Sequence, residues 1–308
     1  GLFSARKAIM QYSQIKGLPN VDMDSIYTGN GVSELINLCM QALLDNGDEI
    51  LIPSPDYPLW TACATLAGGN PVHYICDEQA EWYPDIQDIE SKITPRTKAI
   101  VIINPNNPTG TVADKEYMRG LIEHNPQVCF IIDQSYEFFT LCPLFSPAEA
   151  AEYPNVLLLH SMTKRYAIPG LRLGYVTGSS GLLERLRTNR MPWSVNRLAI
   201  EAGLFLLEND VPEPLDVAAY LQETARLGKA LKAVGGLDVW DTQTHFMLVQ
   251  LRMGKASALK EYLAGEHGIL IRDASNFAGL DERFFRIATQ TPEENDRLVA
   301  AIEEFMAG

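Results

Sequence analysis

Six short runs constrain this chain more than any other feature. EILIP (49–53), PVHYIC (71–76), AIVIIN (99–104), VCFIID (128–133), VLLLH (156–160) and LGYVTG (173–178) are apolar almost throughout. They lack the polar alternation of a strand with one wet face, so they suit strands covered on both sides. That is the habit of a mostly parallel sheet between layers of helices. Amphipathic stretches lie between them, such as the helix expected over Val32–Leu44, with a C-cap signal at Asn46-Gly47. An α/β domain is therefore expected over residues 1–210. Beyond ENDVPEPLD (208–216) the pattern changes. A long helix (AAYLQETARLGKALKAV) precedes strand-like HFMLVQL, helical ASALKEYLAGEHG, strand-like ILIRD and FFRIAT, and a last helix, PEENDRLVAAIEEFM. This mixture reads as a small α+β domain over residues 211–308.

Charge narrows the partners. With 25 Lys plus Arg against 39 Asp plus Glu, the formal net charge is −14. Such a chain repels nucleic acid and anionic membrane, so any anion it binds needs a local site. The five cysteines, Cys39, Cys63, Cys76, Cys129 and Cys142, are odd in number and widely spaced, without a CxxC pair. They read as reduced thiols of a cytoplasmic protein, with no disulfide framework and no metal site. No apolar stretch approaches the ~18 residues of a membrane span, and no signal peptide is visible. The chain opens at Gly1 inside a helix-like stretch, LFSARKAIMQY, so a natural N-terminal portion is expected ahead of it.

In α/β folds ligands sit outside the carboxyl ends of the strands, so the residues just past each apolar run are the candidates for chemistry. TGNGVSEL is a Gly-rich turn opening a helix, and its free amides suit a phosphate. The dinucleotide fingerprint fails there because Glu34 stands where its third small residue belongs. SPDYPLW puts Tyr57 in a loop at a strand end, and NNPTG makes a rigid turn bearing Asn107. DQSYEFF carries Asp133 and Tyr136, and HSMTKRYAIPGLRLGY carries Ser161, Lys164 and Arg172. Each has a bland reading: Lys164 as a solvated surface lysine, Asp133 and Ser161 as helix caps, Tyr57 and Tyr136 as core aromatics.

Together, at successive strand ends, they match the needs of pyridoxal 5′-phosphate. A lysine amine forms a Schiff base with the aldehyde when a cationic or desolvating site lowers its pKa. A carboxylate facing the pyridine nitrogen keeps it protonated, so that the ring acts as an electron sink. A phenol and an amide can bond the phenolate oxygen, an arginine fork suits the phosphate, and an aromatic ring can stack on the cofactor face.

The ordered set NPTG, DxxY, SxTK and GLRLGY resembles the class I/II aminotransferases of the fold-type I, aspartate-aminotransferase-like superfamily, and the likeness covers essentially the whole chain. It implies a mostly parallel sheet flanked by helices with a small C-terminal α+β domain. The family pattern makes Lys164 the Schiff-base lysine, Asp133 the pyridinium partner, and Tyr136 and Asn107 the phenolate-oxygen partners. It makes Tyr57 the stacking aromatic and sets Gly31, Val32, Ser161 and Arg172 around the phosphate. In RFFRIAT it makes Arg286 the clamp for the substrate carboxylate, a position suited to a bidentate guanidinium. Residues 1–110 resemble the alanine aminotransferase branch; residues 111–308 resemble the histidinol-phosphate aminotransferase and threonine-phosphate decarboxylase branch, with a join near NPTG. In the phosphosubstrate branch a second arginine stands about a dozen residues before the clamp, where this chain has Arg272. Arg272 and Arg286 would hold a doubly anionic substrate or a phosphate; the bland reading pairs Arg272 with a surface acid.

The resemblance implies transamination between an amino acid or amino-phosphate substrate and a 2-oxo acid, in amino-acid metabolism or biosynthesis. Lys164 serves as acid and base at the substrate α-carbon. Decarboxylation of a threonine-phosphate type of substrate is the alternative from the same site. The family also implies a homodimer, with MPWSVNR (191–197) near its interface, and a substrate-covering segment ahead of the point where this chain starts. A serine acyl-transfer enzyme would also use Ser161-x-x-Lys164, but its third motif, Lys-Thr-Gly, is absent. A nicotinamide dehydrogenase needs a better glycine fingerprint. A cofactor-dependent regulator needs a DNA-binding module that neither the charge nor the visible length offers.

Overall fold

The computed structural model describes residues 3–17, 21–209 and 215–307, so the expected boundary between residues 210 and 211 lies outside the described residues. Eight strands build the larger sheet: β1 (Ile26–Gly29), β2 (Glu49–Ser54), β3 (Asn70–Asp77), β4 (Tyr83–Pro84), β5 (Thr97–Ile103), β6 (Cys129–Asp133), β7 (Val156–Ser161) and β8 (Gly174–Gly178). Their order is β1-β8-β7-β6-β5-β2-β3-β4. The strands from β3 through β2, β5 and β6 to β7 are parallel neighbours. β8 runs against both β7 and β1.

The apolar runs are explained by burial on both faces. Alternate residues of one strand serve different cores: Ile131 and Leu157 pack with Leu35, Ile36 and Trp60 on one side, while Phe130, Ile132 and Leu158 pack with Met118, Leu121 and Phe145 on the other. A strand so placed needs an apolar residue at every position. The helix Gly31–Leu43 covers the first face, burying Leu35, Ile36, Cys39 and Met40. It stops before the expected signal, because Leu44 is already extended (φ −108°). Gly47, at φ +87°, instead serves the turn into β2, where its N–H donates to Gly68 O.

A second sheet, entirely antiparallel, has the order β11-β12-β10-β9, from β9 (Leu237–Val239), β10 (Phe246–Leu251), β11 (Arg272–Asp273) and β12 (Phe284–Ala288). The strand expected over ILIRD shrinks to β11: Ile271 turns into the core formed with Leu259 and Leu263, and its neighbours leave the ladder. One face of this sheet packs on the helices Val217–Ala233 and Pro292–Ala307. Leu248 and Phe284, facing the other way, join the core of the larger sheet, where Trp240 stacks on Phe284 at 5.7 Å. All five cysteines are free, four of them buried. No helix among the described residues is long and apolar enough to cross a membrane.

Candidate active site

The carboxyl ends of the parallel strands open onto a cavity of about 260 Å³. β6 ends on Asp133 and β7 on Ser161, so both side chains arrive as terminal residues of buried strands, 5% and 3% exposed. Asn107 comes from the turn after β5 and Tyr57 from the loop after β2. Because β8 runs in reverse, Arg172 reaches the same rim from just before its strand rather than just after it. The start of β8 packs backbone to backbone on the helix that begins at Gly31: a Cβ on Gly174 would lie 3.1 Å from Val32 N.

Every residue singled out from the sequence is gathered here. Val32, Tyr57, Asn107, Asp133, Tyr136, Ser161, Lys164, Arg172, Arg272 and Arg286 line the cavity, and Gly31 borders it through Arg172. Gly31 has φ +73°, and a Cβ there would collide with the Arg172 guanidinium. The first turn of a 13-residue helix, its positive end, thus lies beside an arginine, an arrangement that accepts a phosphate dianion. Ser33 and Thr163, which also line the cavity, add hydroxyls. Ser161 Oγ pairs with Thr163 Oγ1 at 2.8 Å, while Lys164 Nζ lies 5.6 Å from the centre of the Tyr136 ring. These pairings are those of a polar cradle, not of a serine nucleophile activated by lysine.

Asp133 provides the test of fit for a cationic ring nitrogen. Its Oδ1 accepts from Ser135 N–H (3.0 Å) and Ser135 Oγ–H (2.6 Å). Burial nevertheless pushes the carboxyl above its usual range, against the Ser135 hydrogen bonds, and no lysine or arginine is among the groups that oppose the rise. A carboxylate so buried ionises most readily opposite an incoming cation. A protonated pyridine nitrogen meets that need, and the helix start with Arg172 meets the phosphate's, so the residues fit pyridoxal phosphate. Among the described residues no cluster of three or more His, Cys, Asp or Glu could hold a metal ion.

Lys164 is exposed, in contrast to the desolvated lysine that the chemistry also allowed. Its neighbours are the other option, cationic: Arg172, Arg272 and Arg286 line the same cavity. Arg286 Nη1 donates to Asn107 Oδ1 at 2.5 Å, its guanidinium lies 4.8 Å from the Phe246 ring centre, and its buried Nε has no partner. Arg272 is the cross-strand partner of Arg286 in the β11–β12 ladder. It is exposed and donates to Asn276 Oδ1 at 2.8 Å, so the acid expected to hold it at the surface is replaced by an amide.

Besides Ser33 and Thr163, three larger side chains near the site escaped the sequence reading. Phe277 lines the cavity from the turn after β11. Trp60 packs beneath Asp133 and opposes the rise of its carboxyl, although the indole N–H forms no well-aligned hydrogen bond. His245 lies between Phe139 (4.0 Å) and Tyr136 (5.6 Å), and burial followed by the charges of Arg286 and Lys164 pushes it down to about 3. It is therefore a neutral packing ring near physiological pH. Only its place just ahead of β10 could have flagged it.

Residues 1–302 match the model of the family described as aminotransferase class I and II. The glutamate-pyruvate aminotransferase AlaA of Haemophilus influenzae is 50% identical over 180 residues, covering 57% of this chain and 45% of that protein. The chain thus spans under half the length of that relative, and the likeness is longer than the 110 residues in which the sequence alone showed it. A putative threonine-phosphate decarboxylase of Caldanaerobacter subterraneus subsp. tengcongensis is 31% identical over 298 residues, covering 91% of this chain and 77% of that protein. Among solved structures, the L-threonine-O-3-phosphate decarboxylase of Porphyromonas gingivalis superposes with a TM-score of 0.89 at 30% identity, over 99% of this chain and 89% of that one.

Proposed function

The chain belongs to the class I and II aminotransferases, with their aspartate-aminotransferase-like fold, and on that premise we propose that it moves an amino group between an amino acid or amino-phosphate and a 2-oxo acid. The observation that carries this reading is the convergence of Lys164, Asp133, Tyr136, Asn107 and Arg172 on one cavity that also holds Arg286. Members of the family use pyridoxal phosphate. When bound, it supplies the aldehyde that an amine joins and a ring that draws electrons from the substrate α-carbon.

The chain's own residues do the rest. Lys164 would be the attachment lysine, and its amine would take the proton from the substrate α-carbon and deliver it to the carbon of the cofactor's former aldehyde, as transfer of the amino group requires. Asp133 holds the positive charge at the ring nitrogen, a fixed stabilisation that needs no rearrangement during reaction. Gly31, Val32, Ser161 and Arg172 would hold the phosphate, Tyr136 and Asn107 would meet the phenolate oxygen, and Tyr57 would stack on the ring. Arg286, with its free Nε, grips the substrate carboxylate by two parallel hydrogen bonds.

The cross-strand pairing of Arg272 with Arg286 favours a substrate with two anionic groups, such as an amino acid phosphate. The same pairing supports, as a second reading, decarboxylation of a phosphothreonine-like substrate. We take residues 1–210 as the cofactor-binding unit and 211–308 as the smaller one, in a cytoplasmic homodimer. Support for the dimer comes from apolar side chains left in water around 191–205, with Trp193 98% exposed and Met191, Leu198 and Phe205 near it in sequence.

The test is an absorbance spectrum with added pyridoxal phosphate, before and after borohydride, for the wild type and Lys164→Ala. A visible band that borohydride abolishes, absent from the variant, is the expected result. It leads to a screen of alanine, glutamate, histidinol phosphate and threonine phosphate that separates keto-acid formation from release of carbon dioxide. A band of equal strength in Lys164→Ala overturns the assignment of the lysine.

A further inference from the structure

We propose that His160 is a positioning residue which, through Glu137, fixes the turn after β6 so that Tyr136 faces Lys164. The proposal deepens the reading above and rests on it for the role of Tyr136. His160 stands one residue before Ser161, but strand alternation sends its side chain to the opposite face of the sheet. There it is 1% exposed. Its ring stacks on Tyr175 of the neighbouring antiparallel strand, with centroids 4.5 Å apart and planes 17° from parallel. Both ring nitrogens are used: Nδ1 with Glu137 Oε1 at 2.9 Å, and Nε2 with Thr177 Oγ1 at 3.1 Å.

This arrangement matters because of where Glu137 lies in the chain. The segment from Asp133 to Phe139 leaves β6, makes a turn and enters a short 3₁₀ helix at Glu137–Phe139. One end of it is tied by Ser135 to Asp133 Oδ1. At the other end the side chain of Glu137 is tied to His160. Tyr136 is the residue between the two ties, and its ring lies 5.6 Å from Lys164 Nζ. His160 is therefore linked to two parts of the site at once: by the peptide bond to Ser161, and by Glu137 to Tyr136. A histidine used only to fill the core needs no carboxylate on Nδ1. Here the carboxylate comes from the one turn whose orientation sets Tyr136.

The experiment compares wild type with His160→Ala, Glu137→Ala, the double variant, Thr177→Val and Tyr136→Phe. In cofactor-free protein, amide hydrogen exchange across residues 134–139 rises roughly tenfold or more in each alanine single variant, as loss of a charge-assisted hydrogen bond dictates. It rises no further in the double variant. Thr177→Val, which cuts the other bond of the same ring, lowers the melting temperature but leaves exchange at 134–139 unchanged. With pyridoxal phosphate bound, the pH midpoint of the visible band moves in His160→Ala in the direction that Tyr136→Phe moves it. Faster exchange spread evenly over β7 and β8, or an unmoved midpoint beside a lowered melting temperature, overturns the proposal and leaves His160 a packing residue. Absence of any borohydride-sensitive band in the wild type defeats the cofactor reading, and the exchange pattern of the unloaded protein still decides whether His160 holds the turn.

Discussion

Asp56, next to Tyr57, is a buried carboxyl group to which the chemistry assigns no role. It is 1% exposed; Oδ2 accepts from Thr61 Oγ1 at 3.2 Å, and Oδ1 has no partner. Burial pushes it from 3.8 up to about 6, opposed by the Thr61 hydroxyl and by the backbone N–H groups of Ala278 and Asp56. The folded chain therefore keeps the proton through an interval in which the unfolded chain has lost it. Stability from this group is whole below the unfolded value, falls as pH rises through about 6, and is constant above. A shift of roughly two units corresponds to about 3 kcal/mol, of which about half is lost between pH 5 and pH 8. Asp56→Asn fixes the side chain in its neutral form. Relative to wild type the variant should gain about 1.5 kcal/mol between pH 5 and pH 8, or roughly 3 °C in melting temperature. Scanning calorimetry of both proteins at the two pH values measures this, and the difference between proteins cancels the titrating groups that are not linked to Asp56, as His73 is through Thr61. A melting-temperature difference that is the same at both pH values, or that favours wild type more at pH 8, refutes the burial argument.

Gly31→Ala puts a side chain at φ +73° and against the Arg172 guanidinium; displacing that guanidinium, a charged partner for the phosphate, predicts roughly tenfold weaker pyridoxal phosphate binding, read by fluorescence titration. Arg286→Lys replaces a fork by a point charge and releases Asn107, so KM for a carboxylate substrate should rise roughly tenfold or more with a smaller change in kcat. Equal losses in both would mean that the residue acts on the reacting bond instead. Leu198→Asp places a charge in the exposed apolar region near Trp193, and sedimentation should show a shift from dimer to monomer.

The strands were legible because burial on both faces leaves a continuous apolar run, and much of the candidate site could be picked out because parallel strands deliver their next residues to one edge; Arg272 and Arg286, on the antiparallel sheet, stood out only through the family resemblance. Direction was not legible. Nothing in LGYVTG distinguishes the antiparallel β8 from its parallel neighbours, since a strand covered on both faces has the same composition either way. Asn46-Gly47 misled because a helix C-cap and a tight turn call for the same residues. ILIRD looked like a full strand because Ile271 faces a core, yet only Arg272 and Asp273 pair. His160 and His245 owe their surroundings to residues distant in sequence, such as Thr177 for His160 and Phe139 for His245, and Asp56 owes its burial to the fold as a whole, so no local pattern carries them.

The bond between Arg286 and Asn107 assigns a polarity to the amide. A guanidinium has only hydrogens to give, so it claims the carbonyl end of Asn107 and leaves the amino end pointing elsewhere. Whatever meets that free end must be an electron-rich acceptor, as a phenolate oxygen is. Aspartate, similar in size, would present a second lone-pair surface there and repel the same atom. On the proposed reading, one side chain thus ties the orientation of the guanidinium to the kind of oxygen that the cofactor must present beside it.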